Sequence, residues 1–241
     1  DRRDFIGGEM VSASIPDFKW DIKRLLRYYE VEVEKTGLDV RLGIDVTLDT
    51  LSSDDVEVVI LATGGEAVVP NVPGIEEDCV TTAIDALTGW DALDIGEKVM
   101  VLGAGLVGYE MAWYAADQGR KVSMVTRRTE DEVGNLEEHG TNLALLIKGT
   151  REAGVHVLPE SELEAVEQGA VVLRDHAGNK QRHAIDNLIV SRGYAPRQQL
   201  KREIEEANID CEVLAVGDCV EVRNFFDAIN EGAHVVRTSL A

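Results

Sequence analysis

Short, mostly apolar runs punctuate the chain and predict buried strands. They occur in "VEVVILATGG" (residues 56–65), at Lys98 to Leu102, at Lys121 to Thr126, and in "VHVL" (155–158). Each is too short for a core helix and rich in β-branched residues, the pattern of strands covered on both faces. Helical spacing lies between them. Leu106, Val107, Met111, Ala112 and Ala115 share one face of a segment running to Gln118, and Gly119 stops it. Thr141 to Ala153 reads as a second helix of this region.

The flanks carry other rhythms. "DFKWDIKRLLRYYEVEVEKTG" (17–37) is amphipathic, with Asp17 as candidate N-cap, Gly37 as stop, and its tryptophan and tyrosines read as core or groove packing. "LDVRL" (38–42) alternates as a strand does, "VVPNVPGI" (68–75) is a Pro-rich crossover, and residues 81–95 predict a connecting helix and loop. After "VHVL" the character changes. "LEAVEQ", "AVVLRD" and "RHAIDNLIVS" predict short strands of a meander with "DHAGNK" as a hairpin tip. "RGYAPR" (192–197), an acidic helix, "CEVLAVGDCVE" and a last helix from Asn224 to the end complete the chain. The fold class is therefore α/β: a Rossmann-like parallel sheet carrying an antiparallel meander.

Composition narrows the partners. Lys plus Arg is 24 against 45 for Asp plus Glu, a net charge of -21, which repels nucleic acid and anionic membrane. No apolar run reaches membrane-spanning length, and there is no signal peptide. Cys79, Cys211 and Cys219 form no C-x-x-C pair, so they suggest no disulfide framework, zinc site or iron–sulfur cluster, and a reducing, cytoplasmic compartment is the simplest reading. The chain begins with Asp1 rather than Met, the mark expected of a fragment.

The stretch "VMVLGAGLVGYE" (99–110) carries the candidate chemistry. Gly103, Gly105 and Gly108 stand in G-x-G-x-x-G spacing between a predicted strand and helix, and a second strand completes a βαβ unit over residues 98–126. In that context Gly103 allows the tight turn, Gly105 leaves room for a pyrophosphate, and Gly108 lets helix and strand pack closely. The helix N-terminus then faces the phosphates. An acid is expected at the end of the second strand to hold the ribose 2′-OH of NAD. Thr126, Arg127 and Arg128 stand there instead. Arginine suits a 2′-phosphate because its planar fork holds phosphate oxygens bidentately, so the sequence favours NADP(H) over NAD(H).

The order "ILATGG", "VLGAGLVGYE", "IVSRGYAP" and "VLAVGDCVEVRNFFDAINEGAHVVR" resembles the two-dinucleotide-domain flavoprotein reductases. It is most similar to the C-terminal half of the 2,4-dienoyl-CoA reductase and trimethylamine dehydrogenase family. The resemblance implies an NAD(P)H domain over residues 96–196 inserted in an FAD-type domain formed by residues 1–95 and 197–241. It assigns Gly103, Ala104, Gly105, Leu106, Val107 and Gly108 to the pyridine-nucleotide pyrophosphate, Glu110 to the surroundings of the nicotinamide, and Gly193 to the adenosine half. Thr63 and Gly64 match the turn lining the flavin nucleotide, and Gly217 and Asp218 the turn whose carboxylate holds a flavin hydroxyl.

The departures bear on function. The family's first βαβ unit, with its own glycine motif for FAD, has no counterpart here, nor does the flavin-bearing barrel with its cysteine cluster. The resemblance thus implies the pyridine-nucleotide-binding portion of a larger NAD(P)H-dependent flavoprotein oxidoreductase. In the full enzyme FAD, and an FMN and iron–sulfur cluster in the barrel, would pass electrons between NAD(P)H and an enoyl- or amine-type substrate. The partners expected are NAD(P)H and the remaining segments of the same enzyme. No general acid, base, nucleophile or metal ligand is assigned within this chain. Two other classes stay open: an adenine-nucleotide-binding module without catalysis, and a stand-alone hydroxyl dehydrogenase. The second lacks the Tyr-x-x-x-Lys pair it needs.

Overall fold

Two of the apolar runs, at Lys98–Leu102 and Lys121–Val125, become inner strands of a five-stranded parallel sheet, while His156–Leu158 lies at its edge and Val58–Leu61 pairs in a separate two-stranded sheet. In the computed structural model, which describes residues 1–53, 56–134, 140–207, 209 and 211–239, the chain divides into two compact units. One comprises Asp1–Glu66 and Tyr194–Ala241, the other Ala67–Gly193.

The unit Ala67–Gly193 is built on five strands in the order Val80–Thr82, Asn187–Val190, Lys98–Leu102, Lys121–Val125, His156–Leu158. All neighbours pair in parallel, with Val101 opposite both Ile189 and Met124. Helix Leu106–Asp117 packs on the two central strands and on helix Gly140–Glu152. Its Met111, Ala112 and Ala115 are fully buried, as the spacing requires. Leu106 is the exception at 42% exposure, because it occupies the first helical position, ahead of the packed face.

The opposite face of the sheet carries Met100, Leu102, Val125, Leu188 and Val190. It is covered by the three-stranded antiparallel sheet Ser161–Glu167, Ala170–Asp175, Lys180–Ala184 through Leu163, Val166, Val171 and Leu173. The hairpin tip forms as expected, with Asp175 accepting from the Asn179 amide and side chain. "RHAIDNLIVS" is divided rather than continuous. Lys180–Ala184 ends the meander and Asn187–Val190 joins the parallel sheet. Between them Ile185 donates to Gly169 and the Asp186 carboxylate accepts from Lys98 N–H at 2.7 Å.

Val80–Thr82 adds an edge strand to the same five-stranded sheet, and Thr82 caps helix Ala83–Thr88, within the helix-and-loop segment 81–95, by accepting from the Asp85 amide. The compact division falls at 66/67 and 193/194.

In the other unit, Val58–Leu61 pairs in parallel with Glu212–Ala215, and helix Gln199–Ala207 buries Ile204 against Val59 and Leu61. Three local expectations change. The helix begins as a 3-10 turn at Asp17–Lys19, and Asp17 makes no cap bond. Its carboxylate instead faces Lys23 at 3.4 Å. Of the core and groove alternatives for the helix's aromatic residues, core packing does not hold for Trp20 and Tyr28, which are 59% and 56% exposed. "LDVRL" pairs with no strand among the described residues. Arg41 accepts from the terminal amine of Asp1, and the amides just beyond, Gly43 and Ile44, donate to Arg3 and Asp1. Helix Trp20–Thr36 does end at Gly37, whose φ of 67° supplies the left-handed cap. The helix expected from Asn224 runs Phe225–Ser239, and the chain's final two residues lie outside the described ones.

Candidate functional site

The C-terminal ends of the central parallel strands open onto a cleft of about 540 Å3 within the unit Ala67–Gly193. Such ends, at a switch in strand order, are where open α/β sheets bind ligands. The switch is present: Lys98–Leu102 lies between Lys121–Val125 on one side and Asn187–Val190 on the other. Three turns line the cleft: Gly103–Gly105, Thr126–Arg128 and Ser191–Gly193, joined by Ser161 and Glu132.

The glycine turn has no room for side chains where it faces the protein and ample room where it faces the cleft. Gly103 has φ 121°, and a β-carbon on it would lie 2.0 Å from the Ser191 carbonyl oxygen. On Gly105 a β-carbon would meet nothing within 4 Å. Gly105 caps helix Leu106–Asp117 without a side-chain bond, so the first-turn N–H groups have no side-chain acceptor there. Open space beside a helix N-terminus is what a pyrophosphate requires. Gly108, Leu106, Val107 and Glu110 lie outside the cleft lining, Gly108 behind the turn.

At the end of Lys121–Val125, Thr126 is 7% exposed and its hydroxyl accepts from the Arg128 amide at 3.2 Å. The backbone continues to be held: Ser161 donates to Thr126 and Glu160 to Arg128. Arg127 is exposed at the cleft. Arg128 turns back, its Nη1 lying 3.5 Å from the Ala104 carbonyl oxygen. Glu132 adds a negative charge to this wall, and its carboxylate closes a capping box with Thr129, accepting from that amide at 2.7 Å and from the hydroxyl at 3.0 Å. The Thr129 amide, then the hydroxyl, hold its pKa below the usual carboxylate range.

Ser161, Ser191, Arg192 and Glu132 were not singled out in the sequence. "TEDE" carries the T-x-x-E signature that leads to Glu132. Arg192 could have been read from its place beside Gly193 at a strand end. Ser161 has no local signal.

The flavin-side candidates lie in the other unit. Thr63 and Gly64 follow Val58–Leu61, and Gly217 and Asp218 follow Glu212–Ala215, so two parallel strands bring both turns to one end of their sheet. Thr63 Oγ1 donates to Arg197 O at 2.8 Å. The Gly217 amide donates to Glu231 Oε2 at 2.7 Å, Arg223 donates to the other oxygen of Glu231, and Asp218 Oδ1 accepts from the Arg223 amide at 3.1 Å. The Arg223 guanidinium, then the Gly217 N–H, lower the Glu231 pKa.

A family model described as pyridine nucleotide-disulphide oxidoreductase matches residues 11–232. The chain belongs to this family. Among curated relatives it is 28% identical to an NADH oxidase of Thermoanaerobacter brockii, covering 98% of this chain and 36% of that protein. It is 26% identical to a cinnamate reductase of Clostridium sporogenes, covering 95% and 33%. The solved structure of a 2-naphthoyl-CoA reductase complex superposes with a TM-score of 0.85 at 24% identity, over 96% of this chain and 34% of that one, a likeness of fold. The chain thus spans about a third of the length of these relatives. A mixed α/β nucleotide-binding fold of the FAD/NAD oxidoreductase type agrees with both findings, and among the described residues no helix is long and apolar enough to cross a membrane.

Proposed function

We propose that the chain is the pyridine-nucleotide-binding portion of a flavin-dependent oxidoreductase of the 2,4-dienoyl-CoA reductase and trimethylamine dehydrogenase type. The carrying observation is the Gly103–Gly105 turn, which opens a helix N-terminus onto the cleft beside Thr126 and Arg127. The cleft volume falls in the ordinary range for small-molecule sites. NAD(P)H, when bound, supplies a hydride for transfer to FAD, and that chemistry is the cofactors' own.

This chain's residues bind and orient. Backbone N–H groups of Gly103 through Gly108 hold the pyrophosphate, Glu110 faces the nicotinamide end, Gly193 the adenosine half, and Arg127 the 2′-position. The unit Ala67–Gly193 serves as the NAD(P)H domain and the other as the FAD-type domain, where Thr63, Gly64, Gly217 and Asp218 meet the flavin nucleotide. The rest of a longer enzyme holds FMN and an iron–sulfur cluster and acts on an enoyl- or amine-type substrate. The names NADH oxidase and cinnamate reductase among the relatives support the hydride-transfer part of this reading.

Calorimetry with NADPH and NADH, followed by oxidation of the bound nucleotide in the presence of added FAD or a dye, tests it. Binding of one equivalent with transfer is expected. Binding without transfer would instead favour a non-catalytic nucleotide module, and no binding would overturn the reading.

A further inference from the structure

We infer that Arg192 and Arg127 form a two-arginine clamp for a phosphomonoester on the adenosine end of the dinucleotide, separate from the pyrophosphate cradle at Gly103–Gly105. This rests on the nucleotide reading above and adds to it a residue that sets cofactor choice.

Arg192 is held from both sides. Ser191 donates its amide to Leu102 at 2.9 Å, and its carbonyl lies against Gly103. Gly193, at φ 87°, accepts from the Val68 amide at 2.9 Å. The backbone therefore has little freedom to move, and Arg192 lines the same cleft as Arg127 from the far side of the Leu102–Gly103 strand end.

The charges around it are unbalanced. Among the described residues neither Arg127 nor Arg192 makes an ion pair, while Arg128 turns to Ala104. Glu162 faces Arg192, but its carboxylate is bonded to Arg174 at 2.8 Å. Glu132, hydrogen-bonded to Thr129, stays ionised, so the cleft lining sets one carboxylate against Arg127, Arg128 and Arg192. Burial, and then the neighbouring Arg127, lower the Arg192 pKa. Two guanidinium groups that repel each other in a partly desolvated cleft are unfavourable until a dianion lies between them, since removing charge from water is compensated only by a hydrogen-bonded opposite charge. A phosphomonoester carries about two negative charges at neutral pH and accepts from both forks. Placed beside the end of Lys121–Val125, where dinucleotide folds present the ribose, that group is the 2′-phosphate of NADPH.

The test compares the parent chain with Arg192→Gln, Arg192→Lys and Arg127→Ala. Dissociation constants are measured for NADPH, NADH, adenosine 2′,5′-bisphosphate, adenosine 3′,5′-bisphosphate and 5′-AMP at low salt. The parent should prefer NADPH. Arg192→Gln should weaken NADPH and adenosine 2′,5′-bisphosphate at least tenfold and NADH and 5′-AMP no more than threefold, with partial recovery in Arg192→Lys. In the double variant with Arg127→Ala, the two losses should be less than multiplicative. Arg192→Gln without ligand should melt at or above the parent temperature, because it relieves the repulsion. A lower melting temperature, equal losses for NADPH and NADH, or equal binding of the two bisphosphates would overturn the clamp while leaving the nucleotide reading standing. A parent chain that binds none of the nucleotides would remove both.

Discussion

A β-carbon on Gly108 would lie 2.1 Å from the carbonyl oxygen of Gly103. The first and last glycines of the motif are thus mutually dependent: the turn at one is possible because the other is bare. Gly108→Ala should destabilise the chain by about 1–3 kcal/mol through overpacking. Gly105→Ala meets open space and should stay within about 1 kcal/mol of the parent, yet it should weaken nucleotide binding more than tenfold. Thermal unfolding and calorimetry on the two variants separate these effects, and a Gly105→Ala chain that binds as tightly as the parent would remove the pyrophosphate assignment.

The two arginines after Thr126 should divide their effects. Arg127→Ala should weaken NADPH by roughly 1.5–3 kcal/mol, one charge-assisted phosphate contact, and leave NADH nearly untouched. Arg128→Ala should weaken both cofactors, since its guanidinium approaches the Ala104 carbonyl of the glycine turn. Calorimetry at low salt reads the difference. Equal parent affinity for NADPH and NADH would defeat the preference.

Tyr109 gives the stability of this unit an alkaline limb. The ring is 2% exposed, and burial raises the phenol pKa, with Arg128 and Arg151 acting weakly in the opposite direction. The unfolded chain loses this proton near about pH 10 while the folded chain keeps it, so stability is complete below that pH and falls as pH rises toward the higher folded value. Tyr109→Phe should flatten this limb. At neutral pH it should cost less than about 1 kcal/mol, because the hydroxyl lies 3.5 Å from Val133 O, at the limit of a hydrogen bond. Denaturant unfolding from pH 8 to 11 in both chains checks the sign.

FAD should bind this chain weakly. The sequence has one glycine-rich pyrophosphate cradle, proposed for NAD(P)H, and on the flavin side the Thr63 hydroxyl and Asp218 carboxylate already bond within the protein. A few hydrogen bonds at about 0.5–1.5 kcal/mol each do not offset the several kcal/mol of freedom lost on association. The purified chain should be colourless, and its absorbance spectrum after dialysis against FAD shows whether that holds. A yellow preparation with one FAD per chain would contradict it.

The βαβ unit was readable from sequence because its determinants are local. Apolar runs, helical spacing and the stop at Gly119 place its elements within a residue of Lys98–Leu102, Leu106–Asp117 and Lys121–Val125. "LDVRL" has the right alternation, but a strand exists only with a partner, and its neighbouring amides bond to Asp1 and Arg3 instead. Asp17 is a good capping residue type, yet a 3-10 turn intervenes between it and the helix. The division of "RHAIDNLIVS" depends on Asp186 reaching the Lys98 amide, 88 positions earlier. Of the cleft, the glycine turn and Thr126–Arg128 were visible. Gly193, and with it the adjacent Arg192, stood at a readable strand end, whereas Ser161 joins the cleft through strand order, which no short window of sequence contains.

The Val68 amide and the Gly193 carbonyl are 2.9 Å apart, so the unit they bound begins and ends at one point. A segment of this kind closes on itself before the chain continues. A segment whose ends meet adds little loop-closure entropy to the chain it interrupts. The same geometry makes residues 67–193 a natural excision: joined by a brief linker, or permuted to begin elsewhere, they retain a complete parallel sheet, its meander and the whole cleft.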